Sequence, residues 1–297
     1  MKRIILFLVT NLAVLLTLGI VANVLCAVFG TTVAEFVGPE WASLLIFAFV
    51  YGMVGAFISL LLSKPLAKLS CGARTIDGSE GERERWLVAT VEDLARRAGV
   101  KTPEVAIYAG AANAFATGAF KNHALVAVST DIMGQMTREE LRAVLGHEIS
   151  HVANGDMVTL TLVQGVLNAF VIVVSRVLAS VLSGAGKDGG GRRRDSGLYF
   201  LLVMVLQLAL GVLASLVVFW FSRRREFAAD AGSARLLGTP SSMIAALRRL
   251  GNLQPGVLPG SLQAMGIADG RRTSVFSTHP SLDDRIEALQ NLSVASF

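Results

Sequence analysis

Residues 137–158 read TREELRAVLGHEISHVANGDMV, and the reading of the whole chain turns on this stretch. Thr137 followed three residues later by Glu140 is a capping-box signature, which opens a helix predicted to run to about Ala153. On that helix His147 and His151 lie four residues apart, so they share a face and both imidazoles can reach one metal ion. Glu148, one residue along, points beside the metal and can take a proton from a water bound there. Neutral imidazole is a good ligand for Zn²⁺, so the H-E-x-x-H spacing supplies two ligands and a base. A chance match on an amphipathic helix is the competing account. Against it, two of only four histidines fall in register on a capped helix beside a carboxylate.

A catalytic zinc takes three protein ligands and keeps one position open, so a third ligand must come from elsewhere. A histidine six residues after His151 would mark the metzincin pattern, but position 157 is Met and that class is excluded. The His-His-Glu class draws a carboxylate from a later helix, and Glu226 in EFAAD at 226–230 offers one. A plainer account of Glu226 is a helix-start carboxylate favoured by the dipole, or a partner of Arg223 to Arg225. Asp230 lies one turn further on the same face, placed to accept the second ring N–H of a ligand histidine, or simply solvated there.

Outward from the motif the chain becomes apolar. It is 53% hydrophobic and 16% charged, against about a quarter charged in ordinary soluble domains. Four stretches, 4–29, 41–63, 157–182 and 197–221, reach the ~20 apolar residues of a spanning helix and form two hairpins. The first run is far longer than the ~7–15 residues of a signal-peptide core, and Asn11 and Asn23 interrupt it, so it is expected to be retained as an anchor. Lys2, Arg3, Lys64 and Lys68 flank the first hairpin, whose turn holds Glu35 and Glu40 without Lys or Arg. Both of its ends are therefore expected in the cytoplasm. The second turn, with Lys187 and Arg192 to Arg194 against Asp188 and Asp195, runs counter to the same rule. Either the first hairpin dominates orientation, or segments three and four dip into the membrane without crossing.

The surplus of 27 Lys and Arg over 22 Asp and Glu sits beside apolar segments without aromatic interleaving, which indicates membrane anchoring and no nucleic-acid partner. Cys26 and Cys71 suggest no disulfide framework. Gln164, Asn168, Arg176 and Gln207 inside apolar segments have no acidic partner in any segment, so interhelical hydrogen bonds and snorkelling explain them better than a transport pathway.

The expected organisation is a transmembrane hairpin at 1–63, the first part of a polar domain at 64–156, a second hairpin at 157–221 and the rest of that domain at 222–297. His151 closes just before segment three and Glu226 follows segment four, so this layout predicts a metal close to the membrane plane. Within the domain, Trp86, Leu87, Val91 and Leu94 predict a helix over 79–98. Residues 104–108, 114–120 and 124–129 read as strands, the last two joined by a turn at Lys121 to His123. Helices are expected from Glu226 to Leu237, after Thr239-Pro240 and from His279-Pro280, with loops at 183–191 and 254–272.

The chain resembles the HtpX family of membrane-bound zinc endopeptidases, more distantly related to the CAAX prenyl proteases. The resemblance rests on HEISHVANGDMV at 147–158, RRREFAADAGSARL at 223–236, NAFATG at 113–118, STHPSLDDRI at 277–286 and the four-segment layout. It implies an α-helical membrane protein with four transmembrane helices in two hairpins and an α+β gluzincin-type zinc peptidase domain. It further implies one Zn²⁺ per chain held by His147, His151 and Glu226, with Glu148 as base. The implied setting is the bacterial inner membrane with the site facing the cytoplasm, and the implied work is quality control of misfolded membrane proteins under stress. Asn113, Ala114 and Phe115 are implied to line the strand on which substrate is laid out, and His279 to lie near the site, where a His before Pro either stabilises an oxyanion or only caps the helix start. A non-catalytic membrane adaptor with a structural zinc site is the rival reading. It would normally close its zinc with four protein ligands, where only three candidates are found here.

Overall fold

The computed structural model describes residues 41–183, 196–253, 266–267 and 279–292, together with 20, 23–24 and 27–28. The expectations for most of 4–29, for the turn at 31–40, for 184–195 and for most of 254–272 lie outside the described residues. The chain divides into two compact units, one drawn from residues up to Ile58 and Thr161–Val217, the other from Ser59–Leu160 and Val218 onward.

In the first unit, helix α1 (Trp41–Phe49) passes through a π-helical turn at Val50–Val54 into α2 (Gly55–Cys71). Helices α6 (Asp156–Leu182) and α7 (Ser196–Leu237) supply the other apolar stretches. Among the described residues three helices, Ser43–Cys71, Asp156–Leu182 and Gly197–Leu237, are long and apolar enough to cross a membrane. Ala48 packs with Ala169, Ile172, Val173 and Val177. At Gly52, in the π-helical turn, a Cβ would stand 2.8 Å from the backbone nitrogen of Ala169 and 2.9 Å from the carbonyl of Gly165. A small-residue crossing of this kind lets two backbones gain dispersion contacts in lipid, where no hydrophobic force drives them together.

The second unit is built on a four-stranded sheet of order β1-β2-β4-β3. Its strands are β1 (Arg74–Ile76), β2 (Glu104–Tyr108), β3 (Ala114–Thr117) and β4 (Leu125–Ser129). β2 and β4 run parallel and the other pairs antiparallel. The sheet has apolar partners on both faces, which is why every residue of β4 is buried. On one face Val126 and Val128 pack with Leu87, Val91 and Leu94 of α3 (Glu82–Arg97) and with Leu141, Val144, Leu145 and Ile149 of α5 (Arg138–Asn154). On the other, Ala106, Phe115, Leu125 and Ala127 meet Ala67 of α2. Lys64 and Lys68 pair with Glu104 at 2.7 and 2.6 Å, joining α2 to the start of β2.

α5 is capped at both ends. Thr137 Oγ1 accepts from the Glu140 amide at 3.2 Å, and the Thr137 amide donates to Glu140 Oε2 at 2.8 Å. Gly155 ends the helix with φ of 71°, a left-handed conformation natural to glycine. α4 (Thr130–Gln135) precedes α5, and α8 (Ser241–Asn252) and α9 (Leu282–Gln290) follow α7.

Several elements differ from expectation: α4 was not foreseen, and β3 ends at Thr117 and not near Phe120. The segment 226–237 is no separate helix but the end of the 42-residue α7, because nothing between Gly211 and Gly238 breaks helical hydrogen bonding. The last helix starts after Ser281, whose hydroxyl accepts from the Asp284 amide at 3.0 Å, and not at His279-Pro280. β1 was not anticipated: it has three residues, two of them exposed, and no periodicity to read.

α5 and α7 meet through small residues. A Cβ on Gly146 would lie 2.8 Å from Ser233 Oγ, and one on Gly232 would collide with Ser150 Oγ. Ser233 Oγ donates to the Ala143 carbonyl at 2.7 Å, closing the crossing with a hydrogen bond. Gly232→Val is therefore expected to cost about 1–3 kcal/mol by overpacking and to lower metal occupancy as α7 moves off α5. Gly134→Ala, at a helical position with open space around it, is the control expected to leave metal content unchanged and to raise stability by no more than about 1 kcal/mol.

Candidate metal centre

α5 and α7 bring His147, His151 and Glu226 together, and all three are buried. His147 Nδ1–H donates to Asp230 Oδ1 at 2.8 Å, and His151 Nδ1–H donates to Asp156 Oδ2 at 2.6 Å. Those bonds leave each Nε2 as the atom with a free lone pair, and the two Nε2 atoms face each other 3.0 Å apart. Two lone pairs so placed repel unless a cation lies between them. Glu226 completes the triangle, with Oε2 3.5 Å from His147 Nε2 and Oε1 3.3 Å from His151 Nε2.

Tetrahedral coordination with bonds of about 2.0–2.1 Å requires donors about 3.3–3.4 Å apart. The three separations bracket that value, so the residues fit a small divalent metal ion. The electrostatics agree. Burial on its own pushes both imidazoles toward the neutral form, yet Asp156 and Glu226 raise His151 to about 10, and Asp230 and Glu226 raise His147. The surrounding carboxylates thus call for positive charge at the two Nε2 atoms.

Glu148 is buried beside this triangle, and neither of its carboxylate oxygens has a full hydrogen-bond partner among the described residues. Burial raises its pKa above the usual carboxylate range, with His147, His151 and the Ala116 amide opposing. A proton acceptor with a raised pKa and uncommitted lone pairs suits general base work.

Two further residues were assigned no role from the sequence, although both lie in stretches that carry the resemblance. Asp156 lies inside the quoted 147–158 stretch, but only the left-handed turn at Gly155 swings it back to His151. Arg285 of α9, 1% exposed, clamps Asp230 with two hydrogen bonds of 2.7 Å, from Nε to Oδ2 and from Nη2 to Oδ1. It also donates to the Ile267 carbonyl at 3.0 Å, and burial cannot strip its charge because Asp230 holds it. No local pattern marks an arginine that neutralises a cluster assembled from distant segments.

The remaining expected residues fall around this centre. His279 is buried with Nδ1 3.1 Å from Glu226 Oε2. Asn113, Ala114 and Phe115 lie at the start of β3, the edge strand, but on that edge Phe115 bridges to Gly266. The Ile267 amide donates to the Ala114 carbonyl at 3.1 Å and to Asn113 Oδ1 at 3.0 Å. The first part of the strand edge is thus occupied by the chain itself.

An H-E-x-x-H helix crossed by a second helix bearing a carboxylate, in a chain with membrane-length apolar helices, defines a membrane-bound metallopeptidase. Residues 81–293 match Peptidase family M48, and the chain belongs to that family. A protein named Protease HtpX homolog from Verminephrobacter eiseniae is 55% identical over 98% of this chain and 99% of its own length. One of the same name from Bordetella petrii is 52% identical over 99% of this chain and 100% of its own length. The crystal structure of S. mikatae Ste24p aligns with a TM-score of 0.54 at 20% identity, over 82% of this chain and 56% of that one, which shows a shared fold.

Removing either carboxylate that orients a histidine separates metal affinity from the ligands themselves. Asp230→Asn and Asp156→Asn are each expected to weaken metal binding about 10–100-fold, measured by competition with a chromophoric chelator. Arg285→Met, which leaves Asp230 buried without its cation, is expected to destabilise the fold by about 3–5 kcal/mol in thermal unfolding.

Proposed function

We propose that the chain is a zinc endopeptidase of the gluzincin type, with one Zn²⁺ held by His147, His151 and Glu226 and with Glu148 as general base. The observation that carries this reading is the pairing of a three-donor triangle of metal-coordination size with a buried carboxylate that has no full hydrogen-bond partner among the described residues. Bound zinc would supply Lewis acidity, lowering the pKa of a water molecule toward ~7 and polarising the scissile carbonyl.

The chain's own residues do the rest. Asp230 and Asp156 hold the two imidazoles with Nε2 presented inward. Glu148 takes the proton released as water adds to the peptide carbonyl and delivers it to the leaving amine, so one carboxylate serves as base and then as acid. Arg285 keeps Asp230 ionised and in place. His279, whose Nδ1 lies 3.1 Å from Glu226 Oε2, is the candidate for oxyanion stabilisation.

The proposed setting is the bacterial inner membrane, with four transmembrane helices in two hairpins at 1–63 and 157–221 and the peptidase domain, from 64–156 and 222–297, in the cytoplasm. The lipid bilayer and misfolded membrane proteins are the proposed partners, and proteolytic quality control under stress the role. The names of the close relatives and the charge asymmetry around the first hairpin support this. An adaptor with a structural zinc would have no use for a buried, uncommitted Glu148, and a closed four-ligand site would be expected.

The test is purification in detergent with a chelator, followed by zinc addition and casein as an unfolded substrate. Wild type and Glu148→Gln are expected to bind about one zinc each, with only the wild type cutting. His147→Ala and His151→Ala are expected to lose the metal. Undiminished cleavage by Glu148→Gln would overturn the assignment of the base.

A further inference from the structure

Each histidine of the metal centre is held by a carboxylate, and each of those aspartates is attended by an arginine from another element. Arg285 of α9 clamps the carboxylate of Asp230, which takes the Nδ1 proton of His147. On the other side, Arg225 of α7 donates from Nη1 to the backbone carbonyl of Asp156 at 3.2 Å, and the side chain of Asp156 takes the Nδ1 proton of His151. The first arginine grips its aspartate by the side chain, the second by the main chain.

Arg225 is 6% exposed, so its charge has been taken out of water. Its Nη2 donates to Ser222 Oγ at 3.3 Å, one turn back on α7, and its Nε has no hydrogen-bond partner among the described residues. The hydrogen bonds it makes there go to a carbonyl and a hydroxyl, although Glu226 is next in the chain. Burying a guanidinium without an ion pair is costly, and the strong interaction set against that cost is a charge-assisted hydrogen bond to the carbonyl where α6 begins. That point needs holding. Asp156 directly follows Gly155, whose left-handed turn ends α5, and a glycine backbone leaves the start of α6 free to pivot. Ser222 fixes the guanidinium on α7, and the guanidinium fixes Asp156.

We propose that Arg225 is the positioning residue for His151 and acts through Asp156. Glu226 Oε1 lies 3.3 Å from His151 Nε2, so two neighbours on α7 address the two nitrogens of one imidazole. Glu226 faces Nε2 directly, and Arg225 governs Nδ1 by way of Asp156. This rests on the metal-site reading above and adds the residue that aims its second histidine. An arginine acting in this way matters to metal binding only as long as Asp156 can accept from His151, and that dependence separates it from an arginine that merely packs.

The experiment is a double-mutant cycle on zinc affinity, measured on the full chain in detergent by competition with a chromophoric chelator. Arg225→Met is expected to weaken zinc binding about tenfold. In an Asp156→Asn background the same change is expected to weaken it by less than about twofold, because the path through Asp156 is already broken. In an Asp230→Asn background it is expected to show its full effect of about tenfold, since Asp230 serves the other histidine. Arg225→Lys, which keeps a charged donor, is expected to bind zinc more tightly than Arg225→Met. Arg225→Gln carries the same cycle if Arg225→Met fails to fold. An unchanged affinity in the single variant, or an equal loss with and without Asp156→Asn, overturns the proposal and leaves the metal site standing. A wild type that binds no zinc overturns both.

Discussion

The structure depends on a repulsion that only a cation relieves. Asp230 and Asp156 each take the Nδ1 proton of one imidazole, and this turns the two Nε2 lone pairs toward each other at 3.0 Å. Glu226 adds a third donor to the same small space, away from water. Without positive charge between them, the two Nε2 lone pairs and the buried Glu226 carboxylate would lose their hydration against mutual repulsion. The raised pKa values of both histidines express the same demand in protons.

Holding that arrangement requires two helices to approach more closely than ordinary side chains allow. Gly146 and Ser150 on α5 face Ser233 and Gly232 on α7, and this crossing puts Glu226 and Asp230 within reach of His147. Because α7 is continuous from Ser196 to Leu237, Glu226 and Asp230 sit one turn apart on a rigid rod. One of them completes the donor triangle and the other orients a donor. Arg285, arriving from α9, makes the burial of that second carboxylate tolerable. Glu148 is buried without a full hydrogen-bond partner among the described residues, which suits it to the proposed role of moving protons.

Legibility followed the range of the interactions. The α5 helix could be read from the sequence because its capping box and its i to i+4 histidines are local. β2 and β4 were evident from branched apolar runs, while β1 was too short and too exposed to show a pattern. Arg223 to Arg225 looked like the end of a membrane segment, and the helix passes straight through them, since arginine is a good helix former. Ser281 displaced His279 as the helix start because a hydroxyl caps a free amide better than an imidazole followed by proline does.

The sequence by itself marked His147, Glu148, His151 and the carboxylate of Glu226 as a candidate site and gave the membrane character. These follow from helical periodicity, from composition and from what zinc chemistry requires. Only the tertiary structure decided that Asp156 orients His151, that Arg285 supports Asp230, that Gly266 and Ile267 take the start of the β3 edge, and that glycines let α5 and α7 touch. The contacts of Asp230 span 83 residues to His147 and 55 to Arg285. Their physical cause is helix packing and the neutralisation of buried charge, and neither leaves a local trace in the order of the amino acids.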